Sequence, residues 1–116
     1  MDFVEYTIGD ISISLKTGKT PKTSNPEYFD GNILWACPSD FIGKKHITDT
    51  GRTITEVALE MHEASLYKPG TILISTIGEI GKVAIADKPI SANQQITGIR
   101  VKDTIILPEL FYYWII

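Results

Sequence analysis

Residues 71–86 read Thr-Ile-Leu-Ile-Ser-Thr-Ile-Gly-Glu-Ile-Gly-Lys-Val-Ala-Ile-Ala. Two short runs of β-branched and small apolar residues flank the turn Gly78-Glu79-Ile80-Gly81. Both glycines of that turn can take positive φ at no steric cost. The first run is too short and too rich in isoleucine for a surface helix and reads as a strand over Thr71–Ile77. Lys82–Ala86 reads as its partner, so the segment predicts a β-hairpin.

Outward from this hairpin, the pattern stays mostly extended. Upstream, Lys68-Pro69-Gly70 is a turn, and Thr55 caps a helix from Glu56 to about Ala64. The acids Glu56 and Glu60 suit that helix's N-terminal half. Val57, Met61 and Ala64 would line its inner side. Ile33-Leu34-Trp35-Ala36 gives a short buried strand within Asn32–Cys37, and Pro38–Gly51 reads as loop. Thr17–Gly31 is a loop with turn signals at Asn25-Pro26 and Asp30-Gly31. Before it, Ile11, Ile13 and Leu15 alternate with Ser12, Ser14 and Lys16, the period of a half-buried strand. Downstream, Pro89–Asn93 reads as loop and Gln95–Lys102 as a strand weakened at Gly98. Pro108 opens a terminal helix, apolar nearly all round, through Ile116. The fold class is therefore α+β, mostly strand with two helices.

The 116 residues fit one domain with a single modest core. No apolar run is long enough to span a bilayer, and residues 1–5 lack the basic start and apolar core of a signal peptide. A cytoplasmic location and no membrane partner are expected. Cys37 is the only cysteine, so no internal disulfide forms. The net charge of −3 speaks against a uniformly basic surface, but the charges are unevenly placed. Residues 11–52 carry six Lys or Arg against four acids, and residues 67–102 carry five against two. Glu56, Glu60 and Glu63 fall in a stretch with no Lys or Arg. A DNA reader needs a positive face, not a positive molecule.

Motifs for chemistry are thin. His46 and His62 have no metal-ligand spacing with Cys37, so neither a metal nor a cofactor is expected. Cys37 with either histidine lacks the local signatures of cysteine hydrolases and reads as an idle thiol. Glu56, Glu60 and Glu63 at helical spacing read as a solvated face. Gly78–Gly81 matches neither phosphate-binding glycine pattern and lies between strands. Asn25-Pro26-Glu27-Tyr28 is similar to the Asn-Pro-Pro-Tyr motif of adenine amino-methyltransferases, but Glu27 replaces the second proline and no glycine-rich cofactor loop precedes it. It reads as a turn. No enzyme is expected.

One ordered string of segments remains. Thr7-Ile8-Gly9-Asp10-Ile11 is followed by Thr17-Gly18-Lys19-Thr20-Pro21, then by Asn25–Trp35 with Tyr28, Gly31, Ile33 and Trp35, then by Ser39-Asp40. The hairpin around residues 69–85 comes next, then Asn93-Gln94-Gln95, then Leu107-Pro108-Glu109-Leu110-Phe111-Tyr112-Tyr113. In order and spacing this resembles the target-recognition domain of type I restriction-modification specificity subunits, over the whole chain. The resemblance implies a mixed, curved β-sheet, a partial barrel with a few helices, that docks on double-stranded DNA. It implies no catalysis, with methylation and cleavage left to the modification and restriction subunits that bind the full-length protein. The family's whole subunit has two such domains joined by helical spacers. Here residues 1–116 make one domain that ends in the start of the exit helix, without a spacer.

Phosphate contacts set affinity and register, and base-edge contacts set sequence. Lys16, Lys19, Lys22, Lys44, Lys45 and Lys82 are the candidates for phosphates. Asn25, Ser39, Asp40, Thr76, Glu79, Asn93, Gln94 and Gln95 carry short polar groups suited to base edges. Tyr28 could stack, whereas Trp35 lies in an apolar run and reads as core. Two other classes stand beside this one. The apolar terminal helix could dock on a protein partner or on a second copy, and Cys37 could serve a small enzyme.

Overall fold

The computed structural model describes residues 12–41, 45–75 and 82–101. The terminal helix expected from Pro108, the opening Thr7–Ile11 segment and the hairpin tip lie outside them. Eight strands are present: β1 (Ser12–Thr17), β2 (Phe29–Ala36), β3 (His46–Ile47), β4 (Arg52–Ile54), β5 (Ile72–Ser75), β6 (Val83–Ala86), β7 (Ile90–Ala92) and β8 (Ile96–Val101). One short helix, α1 (Glu56–Glu60), follows β4. The described residues are thus mostly strand with little helix. The strands form two mixed sheets, in orders β1-β8-β5-β6-β3 and β4-β2-β7, and neither closes into a barrel among the described residues.

The hairpin is there. β5 and β6 pair antiparallel, Ile72 opposite Ile85 and Ile74 opposite Val83. β8 joins the other side of β5, with Leu73 opposite Gly98. Register then sorts the side chains, because paired residues share a face. Leu73, Ala84, Ala86, Ile47 and Ile96 turn toward the smaller sheet. They meet Ala36, Ile90 and Ala92 in the main core. The other face of the smaller sheet carries Trp35 and Ile54. The 3-10 turn Pro26–Tyr28 and α1 cover it, adding Tyr28, Phe29 and Ala58. Phe29 and Trp35 meet edge to face, centroids 6.1 Å apart.

Several sequence expectations change. Pro89–Asn93 is not all loop. Ile90–Ala92 is a strand parallel to β2, buried at every position, so it lacks the alternation that marks a half-exposed strand. His46–Ile47 is a second missed strand, too short to show any period. Asp30-Gly31 does not end a loop. It sits inside β2 with Asp30 at φ 63°, where the pairing with β4 shifts register. Aspartate tolerates that left-handed conformation, so the same residues that signal a turn build a bulge. Leu15 is 56% exposed, on β1, which among the described residues is the edge strand with a neighbour on one side only.

The helix is capped as expected, Thr55 Oγ1 accepting from the Ala58 N–H. It ends earlier than expected. His62 takes φ 57°, its N–H reaches the Leu59 carbonyl and the Glu63 N–H reaches that of Ala58. That is a Schellman end with histidine where glycine is usual. The inner side is Ala58 with Leu59, while Val57 and Met61 are exposed. The helix packs by one short turn against Tyr28, and of the expected inner side Val57, Met61 and Ala64, only Ala64 packs on the core.

Gly98 is explained by Tyr67. A Cβ on Gly98 would stand 2.4 Å from the Tyr67 ring. The ring lies on the bare backbone of β8, and its hydroxyl donates to the Lys16 carbonyl of β1 at 2.6 Å. Burial pushes the Tyr67 phenol up to about 12, against a backbone N–H at Gly98 that lowers it. The phenol therefore stays a donor at ordinary pH.

Two outcomes follow from this contact. Gly98→Ala should cost about 1–3 kcal/mol by forcing the ring away, read as a fall in the midpoint of thermal unfolding. The Tyr67 phenol ionises at 10 in the unfolded chain and about 12 in the folded one. Its contribution is complete below pH 10 and lost as pH rises toward 12. Urea unfolding across pH 9–12 should show that loss, and Tyr67→Phe should flatten it.

Candidate nucleic-acid interface

Strand direction gathers several of the polar candidates at one end of both sheets. β1 runs into this end at Thr17, and β8 leaves it at Ile96. β5 arrives at Ser75 and β6 departs at Val83, with the Ser75 N–H bonded to the Lys82 carbonyl. In the smaller sheet, β2 and β7 arrive at Ala36 and Ala92, and β4 departs from Arg52. Lys16, Lys19, Lys45, Lys82 and Arg52 all stand at or beside these ends.

Two of the sequence segments meet here. The Gly18 N–H donates to the Ile96 carbonyl at 2.8 Å, and the Lys19 N–H to that of Ala92 at 3.0 Å. A Cβ on Gly18 would lie 2.2 Å from the Asn93 carbonyl oxygen, so only glycine lets the strand cross the β7–β8 turn so closely. Trp35 Nε1 donates to the Lys19 carbonyl at 3.2 Å from below. Thr20 Oγ1 donates to Gln94 Oε1. Thus Gly18-Lys19-Thr20 and Asn93-Gln94-Gln95 form one unit across the two sheets.

The candidate residues divide by environment. Lys16, Lys19, Lys22, Ser39 and Gln94 are exposed. Lys19 Nζ reaches the His62 carbonyl at the end of α1, 3.2 Å away, where the helix leaves a carbonyl to be satisfied. Lys45, Lys82 and Gln95 are half-buried and engaged with neighbours. Asn93 is turned inward. Its Oδ1 accepts the Gln95 N–H, and its Nδ2 donates to Gln95 Oε1 at 3.3 Å, so its amide shapes the turn and does not face solvent. Asp40 braces loops, one oxygen on the Cys37 N–H at 2.8 Å and the other on the Gly51 N–H at 2.9 Å. Asn25 caps the 3-10 turn through the Glu27 N–H, at the far end of β2. Tyr28 is 7% exposed and belongs to the second core, so its ring is not offered for stacking. Lys44, Thr76 and Glu79 lie outside the described residues.

Sequence reading missed Thr20 and Arg52. Thr20 lies within a quoted segment, but its role depends on Gln94 being brought to it from 74 residues away. Arg52 has no motif around it.

Catalytic chemistry finds little support. Burial, and then the Asp40 charge, raise the Cys37 thiol above its ordinary value, against smaller lowering effects of Arg52 and Asn93. A nucleophilic cysteine needs the opposite shift. Among the described residues, no group of three or more His, Cys, Asp or Glu could hold a metal ion. No described helix is long and apolar enough to cross a membrane. An open groove of about 590 Å³ lies away from the strand ends, lined by Ile33, Leu34, Leu59, Leu66 and Pro89, with Glu56, Glu60 and Lys88 around it. Its acids would repel phosphate.

The likeness to known proteins is consistent along the chain. Among solved structures, the HsdS subunit from Thermoanaerobacter tengcongensis superposes with a TM-score of 0.67 at 18% identity, covering 91% of this chain and 25% of that one. A chain of a structure described as the structural basis of complex assembly and conformational transition of the type I R-M system gives 0.64 at 23%, with the same coverage. These show a shared fold. The MjaIX type I restriction enzyme specificity subunit of Methanocaldococcus jannaschii is 36% identical over 97 residues, 82% of this chain and 22% of that protein. The HindI specificity subunit of Haemophilus influenzae is 29% identical over 86 residues, 74% of this chain and 19% of that protein. The chain spans about a fifth of the length of the curated relatives it matches. The family model of the type I restriction modification DNA specificity domain matches residues 1–116, and the chain belongs to that family.

Proposed function

We propose that this chain reads the base sequence of double-stranded DNA, as a half-site module of a restriction-modification complex, and does no chemistry itself. The observation that carries the reading is the joined Gly18–Thr20 and Asn93–Gln95 unit. It holds one exposed cation, Lys19, and one exposed amide, Gln94, on a rigid strand-end scaffold, where recognition loops are best placed.

Lys16, Lys19, Lys22, Lys45 and Lys82 serve the phosphates, with Lys44 beside them in sequence. Gln94 serves a base edge. The Thr20 hydroxyl orients its amide plane, and an oriented amide can pair bidentately with adenine. Ser39 and Gln95 supply further polar groups, and Thr76 and Glu79 are candidates by residue type. Asn93 and Asp40 act by shaping the loops that carry these side chains. Residues 1–116 act as one domain, docking through the ends of a curved sheet. The modification and restriction subunits join through the rest of a longer, cytoplasmic protein.

Fluorescence anisotropy with a random duplex library, at low and moderate salt, tests this. Binding should weaken steeply with salt, and selection should enrich one short sequence. Lys19→Ala should weaken binding to all sequences alike and reduce the salt slope by about one. Gln94→Ala should leave that slope and relax the preference at one position, by about 1–3 kcal/mol. Absence of binding at low salt, even for two fused copies, would reject the reading.

A further inference from the structure

Arg52 has surroundings unlike those of the other cations at the strand ends. It begins β4 opposite Trp35 and is exposed. Its guanidinium lies over the Phe29 ring at 4.6 Å and near the Trp35 ring at 5.5 Å. Stacking on a ring face leaves the in-plane N–H groups pointing outward. Among the described residues, no carboxylate or carbonyl takes a hydrogen bond from them. Asp40, which holds Gly51 beside Arg52 in the chain, has its two oxygens on the backbone N–H groups of Cys37 and Gly51.

The backbone beneath is fixed as well. Thr50 Oγ1 donates to the Arg52 carbonyl at 2.5 Å and accepts the Trp35 N–H at 3.2 Å. Asp40 holds Gly51 from the other side. An exposed arginine ordinarily loses much rotamer freedom when it binds, and here much of that ordering is already done. Trp35 also donates to the Lys19 carbonyl, so one indole supports both the arginine and the Gly18–Thr20 unit.

We propose that Arg52 is a base-reading residue that selects guanine in the DNA target, its fork pairing with the O6 and N7 acceptors of the major-groove edge. The role rests on the DNA-reading function proposed above. A planar fork held on aromatic faces matches a bidentate acceptor pair, whereas a mobile lysine serves a phosphate as a point charge.

The test is selection from a random duplex library by the wild-type chain, Arg52→Lys and Arg52→Ala, with thermal unfolding measured in parallel. The wild type should enrich a site containing an invariant guanine. Arg52→Lys, which keeps the charge, should lose that guanine preference by about ten- to a hundredfold while its salt slope stays the same. A wild type that binds no DNA would sink the DNA-reading function and this proposal with it. A wild type that selects a site, with Arg52→Lys selecting the same site equally strongly, would sink this proposal alone. A uniform loss over all sequences with a shallower salt slope would make Arg52 a phosphate contact and overturn the base-reading role. If Arg52→Ala unfolds, the lysine variant still decides.

Discussion

Among the described glycines, Gly18 is the one where a Cβ would come nearest to another backbone, at the β7–β8 turn, and much else depends on that crossing. At this crossing the edge strand of the five-stranded sheet passes directly over the end of the three-stranded one. No side chain fits between the two backbones. Two backbone hydrogen bonds close the crossing, and the Trp35 indole closes it from the second core. The contact thus ties the sheets together and places Lys19, Thr20 and Gln94 side by side. Core packing and surface chemistry share one constraint, which gives the proposed recognition surface its rigidity.

The electrostatics follow from the same topology. The net charge is −3, yet the strand ends collect Lys16, Lys19, Lys45, Lys82 and Arg52. The acids of α1 border a groove elsewhere. At physiological ionic strength charges are felt over about 8 Å, so local grouping matters more to a bound duplex than the total. Asp40 sits among the cations, but its oxygens are spent on backbone N–H groups, which makes it a brace for the Arg52 turn.

The hairpin, the Thr55 cap and the core role of Trp35 were legible in the sequence, because each rests on local chemistry: β-branched runs, a side-chain oxygen before a helix, an aromatic in an apolar run. The strand Ile90–Ala92 was not, since a three-residue element buried on both faces carries no period. Asp30-Gly31 misled because turns and bulges demand the same backbone conformations. For the interface, an ordered string of weak segments pointed to the family, and Lys19 and Gln94 were named as candidates by residue type. Their junction, the inward turn of Asn93, the burial of Tyr28 and the stacked Arg52 all depend on partners distant in sequence. Residue type alone could not show them.

The most direct check on the central claim is a map of the bound surface. It can be made by following ¹⁵N amide signals of the chain, with the Gln94 side-chain amide, during titration with the selected duplex. The largest shifts should fall on Thr17–Thr20, Ser39–Asp40, Arg52 and Gln94–Gln95. Shifts confined to α1 and Lys88–Ile90, around the groove, with the strand ends unmoved, would contradict it.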